Sequence, residues 1–477
     1  MFARIVRHDW RNLAAERTVP WLAFVVAAIV GYGVWNGASW TSRQEDEAQA
    51  ARSAYEKRIA ELRAELRKPP VENPDPFAPD PRAPRTLGFV RQDAFLPPGP
   101  LAAFSVGQGD LLPAKVSVNV ATGRRLLTRN YEVQNPLNLL AGRFDLAFAV
   151  VYLLPLLILA LSYDLVSGER DQGTLGLLLS QPIGLSEFVR GKVVARLLLV
   201  LGLGGGLSLA GVPVAGLDLA SAGTWARLGL WVLAVLLYAA FWFGLAVLVS
   251  ALGRSSATNA VLLVSAWLGL VVVLPSLLGL AVAARYPVPS RALLVHAMRE
   301  AANDADRRSA ELLEKYFQDH PELTAGGKPD LSDFYTRYLT AEQDIERRVA
   351  PVLDRYDAAL VEQQRMVSRL RFLSPAIAMQ EALNDIAGTG LVRHSRFLGQ
   401  AWWFAESTKA FFLPRIFGRA TLTEADYDAL PQFRFVEESP GDVLRRVVPG
   451  IGWILLATLA VAWVGLARLR RYPVAAS

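Results

Sequence analysis

The chain has no cysteine among its 477 residues. That excludes disulfides, thiolate metal sites and cysteine nucleophiles. Histidine and methionine number four each. His296, His320 and His394 are far apart, with no His-x-His or methionine-rich spacing. They therefore read as surface or packing histidines sooner than as a metal site, and no metal ligand is assigned. A P-loop is missing too: the nearest approach, Gly191-Lys192, has Ser186 where the first glycine belongs and Val193 after the lysine. No H-E-x-x-H, no paired aspartates inside an apolar run and no Ser/His constellation at a known spacing occurs, so no catalytic residue is assigned and the chain reads as a non-catalytic subunit. Nor is there an excess of one charge, with 50 Lys and Arg against 44 Asp and Glu. The resulting +6 suits arginines flanking a membrane and gives no reason to expect a nucleic-acid partner.

What is abundant is apolar sequence. Hydrophobic residues make up 52% of the chain, gathered in blocks, and mean hydropathy is +0.27. This composition indicates an integral membrane protein with sizeable polar segments. Residues 1–17 place Phe2, Ile5, Val6, Trp10 and Leu13 on one helical face, and Arg4, Arg7 and Arg11 mostly elsewhere, as in a helix lying at the lipid headgroups. A retained first span follows at 18–40, then a polar insert at 41–143. That insert contains a charged helix over 43–68, a proline-broken strap from Pro69 to Pro84 and short strands such as 115–120. The second span is 144–161, with a kink expected at Pro155. A charged loop occupies 162–192. Spans three to five are 193–215, 226–251 and 257–284, and Gly202, Gly204, Gly205 and Gly206 are expected to allow close helix contact in the third. A second polar insert (285–447) carries a heptad seam from Val349 to Leu370, for which 55–66 is a candidate partner. Its aromatic stretch from Trp402 to Phe417 reads either as domain core or as a grip on something apolar. Ser439-Pro440 caps the segment leading to the sixth span at 448–467, and 468–477 is a tail. The fold class expected is all-α: six transmembrane helices, with the two mainly helical inserts forming one domain outside. The spans hold almost no ionisable residue, so no proton relay is visible.

The loop stands out. Tyr163 to Lys192 reads YDLVSGERDQGTLGLLLSQPIGLSEFVRGK, with Ser186 and Glu187 positioned to cap the next helix. A surface helix over 168–180 is expected, its leucines toward the bilayer and its charges toward a soluble partner. E-R-D-Q-G-T-L-x-x-L-L-S-x-P followed by G-K resembles the loop between the second and third spans of ABC-2-type transporter permeases. The large inserts make it similar to the DUF3526-like, multi-copper-enzyme-maturation type. In that family the loop is a coupling helix, so the resemblance implies docking of a separate ATPase on Glu169, Arg170, Asp171, Gly173, Thr174, Leu175 and Leu178.

It further implies two copies of a cytoplasmic ABC ATPase carrying ATP and Mg, a second permease protomer, identical or related, and export as the direction. This chain itself would hold no cofactor. Six spans put both termini on one side. With that side cytoplasmic, Arg4, Arg7, Arg11, Arg17, Arg170, Arg190, Lys192, Arg254, Arg468, Arg470 and Arg471 lie inside, against Arg143, Arg227, Arg285, Arg445 and Arg446 at outer ends. The inserts then face the periplasm of an inner-membrane protein and meet cargo or a periplasmic partner there. Two function classes remain: an ATP-driven permease, or a mechanical transmitter that moves its outer domain with nothing crossing the bilayer.

Overall fold

A computed structural model describes residues 2–16, 18–69, 79–107, 109, 112–124, 144–213, 215–217, 219–287, 291–308, 311, 312, 314, 315, 318 and 333–472. The proline strap at 70–78, the stretch 125–143 and His320 lie outside the described residues. Helix dominates. The exception is a short antiparallel ribbon, in which β1 (Gln92–Phe95) pairs with β2 (Lys115–Val118) and Asp93 faces Ser117.

α1 (Phe2–Ala15) leads to α2 (Thr18–Leu66), a single helix of 49 residues. Its first part is apolar and its second charged, but no glycine or proline interrupts the chain between Ala38 and Lys68. Backbone hydrogen bonding therefore runs straight through the change in composition. Its length is about 73 Å. A short α3 (Pro84–Gly88) precedes the ribbon.

Next comes α4, residues 146–162, in which a π turn (Ala149–Leu153) precedes Pro155. Proline has no N–H, which strands a carbonyl one turn back. Here the Val151 carbonyl accepts the Tyr238 hydroxyl at 3.0 Å. The kink expected at Pro155 thus takes the form of a π turn repaired from a neighbouring helix.

The loop holds α5 (Ser167–Asp171) and α6 (Leu175–Leu179), followed by α7 (Leu185–Ala210). Because α7 begins at Leu185, Ser186 and Glu187 sit in its first turn and not at its cap. After it come α8 (Ala222–Ser250) and α9 (Ser256–Arg285). In α9 a second π turn (Leu268–Val273) precedes Pro275, and the Leu270 carbonyl accepts the Ser374 hydroxyl at 2.8 Å. The two π turns are linked, since Trp267 Nε1 donates to the Tyr152 carbonyl at 3.2 Å.

α10 (Arg291–Arg307), α11 (Phe334–Leu370), α12 (Pro375–Ala387), α13 (Leu391–Phe417) and α14 (Glu424–Asp428) precede α15 (Pro440–Leu469). Ser439 Oγ accepts from the Asp442 amide at 3.2 Å and Pro440 opens α15, as the Ser-Pro pair predicts.

Among the described residues, five helices are long and apolar enough to cross a membrane: within Val19–Leu66, Leu146–Asp171, Ala222–Ser250, Ser256–Arg285 and Pro440–Leu469. The span expected at 193–215 falls on α7 and the turn after it, and includes residues outside the described set. One core joins these helices. Tyr238, Trp242 and Phe243 of α8 are fully buried in it, with Ile158 of α4 and Leu263 of α9.

The heptad seam pairs differently from expectation. Val349 and Leu353 of α11 pack with Ala301 and Ala305 of α10, whereas Leu62 of α2 packs with Leu339, Phe412, Ile416 and Tyr427. Arg63 and Arg67 reinforce that second contact through Glu424. The aromatic stretch divides: Phe404, Phe412 and Phe417 are core, while Trp402 and Trp403 are exposed.

Candidate functional site: the polar lattice around the 163–180 loop

The loop lies at the end of the bundle shared with α1 and the 251–255 turn. Gly173, at φ +73, breaks the expected single surface helix into α5 and α6. Glu169 and Arg170 turn inward. Glu169 accepts Lys192 Nζ at 2.9 Å and the Thr174 hydroxyl at 2.6 Å. Burial disfavours its charge, yet the Thr174 and Lys192 hydrogen bonds outweigh this and hold its pKa below the ordinary value of 4.5. Arg170 donates to the Gly253 carbonyl at 2.6 Å. Asp171 accepts the Ser256 hydroxyl at 2.7 Å, and the Ser256 oxygen can in turn accept from the Ser167 hydroxyl 2.9 Å away. Asn259 completes the cluster by donating to Ser167 Oγ at 3.2 Å.

Beneath this layer sits Arg196, buried on α7. It pairs with Asp164 at 3.0 Å and Asp9 at 3.5 Å, and it also binds the Leu161 carbonyl that ends α4. Burial raises the Asp9 carboxyl above its ordinary range, against the pull of Arg196 and Lys192. Asp9 is not among the residues that the sequence singles out. Its signal was there: an acid in register with Ile5 and Leu13, at helical spacing on the stripe that α1 buries against α7. The Ile5 contact is close enough that a Cβ on Gly191 would lie 2.6 Å from Ile5 Cγ2. The apolar face expected for lipid headgroups is thus divided, with Ile5 and Leu13 inward and Phe2 and Trp10 exposed beside Arg4, Arg7 and Arg11.

Of the other loop residues, Leu175 is buried and Leu178 is half-buried against the core, with Thr174 committed to Glu169. What projects is Asp171 to Gly173, Gly176 and Leu177, then Ser180 to Pro182. Leu177 is 73% exposed. The loop is therefore an apolar knob on a tip whose base is fixed by hydrogen bonds to α7 and to the start of α9.

At the opposite, insert end, α12 enters the same core through Met379, Leu383 and Ile386. Arg227 caps its C-terminus, donating to the Ile386 carbonyl at 2.7 Å. Gly388, at φ +80, closes the cap. The strap at 99–107 is stapled alongside: Leu101 N donates to the Ala387 carbonyl, and Asp145 accepts from the Val106 amide at 2.8 Å while capping α4. Arg446 binds Glu438 at 2.7 Å and Asp385 at 3.5 Å. His394, taken as a packing histidine, contacts the Pro113 carbonyl at 3.1 Å, and burial lowers its pKa.

The length and apolarity of five helices define the class as a multi-pass, almost wholly helical membrane protein. Within it, residues 291–436 match the model of DUF3526, a domain of unknown function. That stretch runs from α10 to just before α15 and so makes up most of the second polar insert. No curated protein matches the chain.

Proposed function

We propose that the chain is the membrane-spanning permease subunit of an ABC-2-type transporter. In this reading it has six spans, α7 being the third, and lies in the inner membrane with both termini cytoplasmic. Two copies of a separate ATPase, carrying ATP and Mg, dock on the 168–180 tip. The second permease protomer completes the pathway, and the inserts stand in the periplasm. The observation that carries the reading is the loop itself. Glu169, Arg170, Thr174 and Leu175 form a firmly seated pedestal that presents Leu177 and the Ser180–Pro182 turn at the end of the bundle. Such a pedestal passes a push at its tip into α4, α7 and α9 together. DUF3526 is associated with ABC-2-type permeases, which agrees.

The geometry also selects the test. Glu169 is part of the pedestal, whereas Leu177 touches little of its own chain. We expect Leu177→Arg to abolish co-purification of an ATPase in mild detergent while leaving thermal stability unchanged. Retention of the ATPase by that variant, or absence of an ATPase from the wild type, would refute the docking role.

One observation favours the mechanical alternative. α2 runs unbroken from the membrane zone into the core of the insert domain, so motion of the first span is delivered there directly. Transport of a labelled cargo into vesicles separates the two readings, since a pure transmitter hydrolyses ATP without it.

A further inference from the structure

α12 carries the second insert into the bundle core, and its polar edge rests in a shielded charge cluster. Glu381 pairs with Arg371 at 3.2 Å. Asp385 meets Arg446 at 3.5 Å, but Glu438 holds the same guanidinium more closely, at 2.7 Å. The Glu438 side chain is 2% exposed and that of Asp385 14%. Three shielded carboxylates thus share two guanidinium groups. The neighbouring cations are committed elsewhere. Arg227 of α8 donates to the Asp385 and Ile386 carbonyls and acts on Glu437 and Glu438 only at longer range. Arg393 of α13 is paired with Glu437. Among the other neighbours, Asp145 at the start of α4 accepts backbone amides, and His394 rests on the Pro113 carbonyl. Asp442 of α15 is turned to Ser439 and Arg445, and the π turn of α9 carries no charge.

A shielded carboxylate without a counter-charge of its own is costly, and a proton is the smallest group that removes the charge. Burial accordingly raises the Glu381 and Asp385 carboxyls above their ordinary values of 4.5 and 3.8, against the pull of Arg371 and Arg446. The direction fixes the sign. Acids that bind protons more tightly in the folded chain stabilise it below their ordinary values, and that stability is lost as pH rises through the folded pKa. The place fixes the consequence. α12 is bounded by Ser374, whose hydroxyl binds the Leu270 carbonyl, and by Gly388, and its apolar face ties the insert to the bundle.

We propose that the seat of α12 is a proton-sensitive joint: Glu381 and Asp385 take up protons as the pH falls, and α12 then sits more firmly between α8 and α15. The joint does not depend on the transport reading. It is tested on the full-length protein in detergent by hydrogen exchange of residues 376–388, each rate being divided by the intrinsic rate at the same pH. Wild-type protection should be at least about threefold higher at about pH 5 than at about pH 8, whereas residues 404–417 of α13 should show no such change. A local readout is needed because Glu169 acts on global stability with the opposite sign. Glu381→Gln with Asp385→Asn should hold the acid level of protection at both pH values. Glu437→Gln, outside the shared cluster, should keep the wild-type dependence. If the double variant does not fold, each single variant should remove part of that dependence. Protection that is flat with pH, that is higher at the alkaline end, or that depends on pH as strongly in the amide variants as in the wild type would overturn the joint.

Discussion

Lys192 and Glu169 lie 23 positions apart and meet at 2.9 Å beneath the loop, both largely shielded from solvent. Lys192→Met leaves the Glu169 carboxylate without its cation, and we expect a loss of about 1–3 kcal/mol, read as a lower unfolding midpoint in detergent. The pair also fixes a pH dependence. Because the folded-state pKa of Glu169 is lowered, its contribution is present above the ordinary value of 4.5 and is lost as pH falls through the folded value. Glu169→Gln should accordingly flatten the acid limb of the stability profile and leave the neutral region nearly pH-independent. At this scale the sequence was only partly legible. It marked the ERDQGTL string as special, but side-chain direction depends on partners such as Gly253 and Ser256, over 80 positions away. Glu169 and Arg170 carry hydrogen bonds within the chain that the string alone does not reveal, while Asp171 stays exposed, and Asp9 is masked by the arginines that flank it in an amphipathic helix.

At the scale of elements, proline decides the shape of two helices. The π turns before Pro155 and Pro275 leave carbonyls that Tyr238 and Ser374 satisfy from other elements. Tyr238→Phe should destabilise by about 1–2 kcal/mol, the cost of a buried carbonyl without its donor, and Ser374→Ala by more, because Ser374 Oγ also caps α12 by accepting from the Ile377 amide at 3.3 Å. A double variant should depart from additivity, because the Trp267–Tyr152 hydrogen bond joins the two π turns. Gly37 is a sharper test of packing. A Cβ there would fall 2.0 Å from the Ala103 carbonyl, so Gly37→Ala must displace the 101–104 strap, and we expect at least about 2 kcal/mol of destabilisation. Helices were the legible part of the sequence: α8, α9 and α15 overlie apolar blocks that composition alone reveals. Their ends were less so. Hydropathy ends the first span at residue 40, but the helix continues to Leu66 because nothing in its backbone stops it. α12 was hidden for a different reason: at 13 residues it is too short to look like a membrane element, and only the fold places its apolar face in the bundle core.

For the whole molecule, the absence of cysteine becomes an asset, since any introduced thiol is unique. Labels at Phe24→Cys and Arg58→Cys, both on α2, should report a separation of about 51 Å if the helix is as straight as it is continuous. A markedly shorter distance would reveal a bend at the membrane surface. Glu47→Pro, on an exposed face between the labels, should shorten it and cost about 3 kcal/mol.

The far end of that rod is clamped, with Leu62 in the core of the insert domain and Arg67 on Glu424. With about 30 Å taken up by a bilayer, some 40 Å of stiff helix stands clear of it. A tilt of only about 5° in the first span therefore sweeps the clamped end sideways by about 4 Å, roughly the width of a methyl group. α2 is in this sense a lever arm with a gear ratio set by its length, and adding or deleting whole helical turns beyond residue 41 would change the stroke without touching the spans.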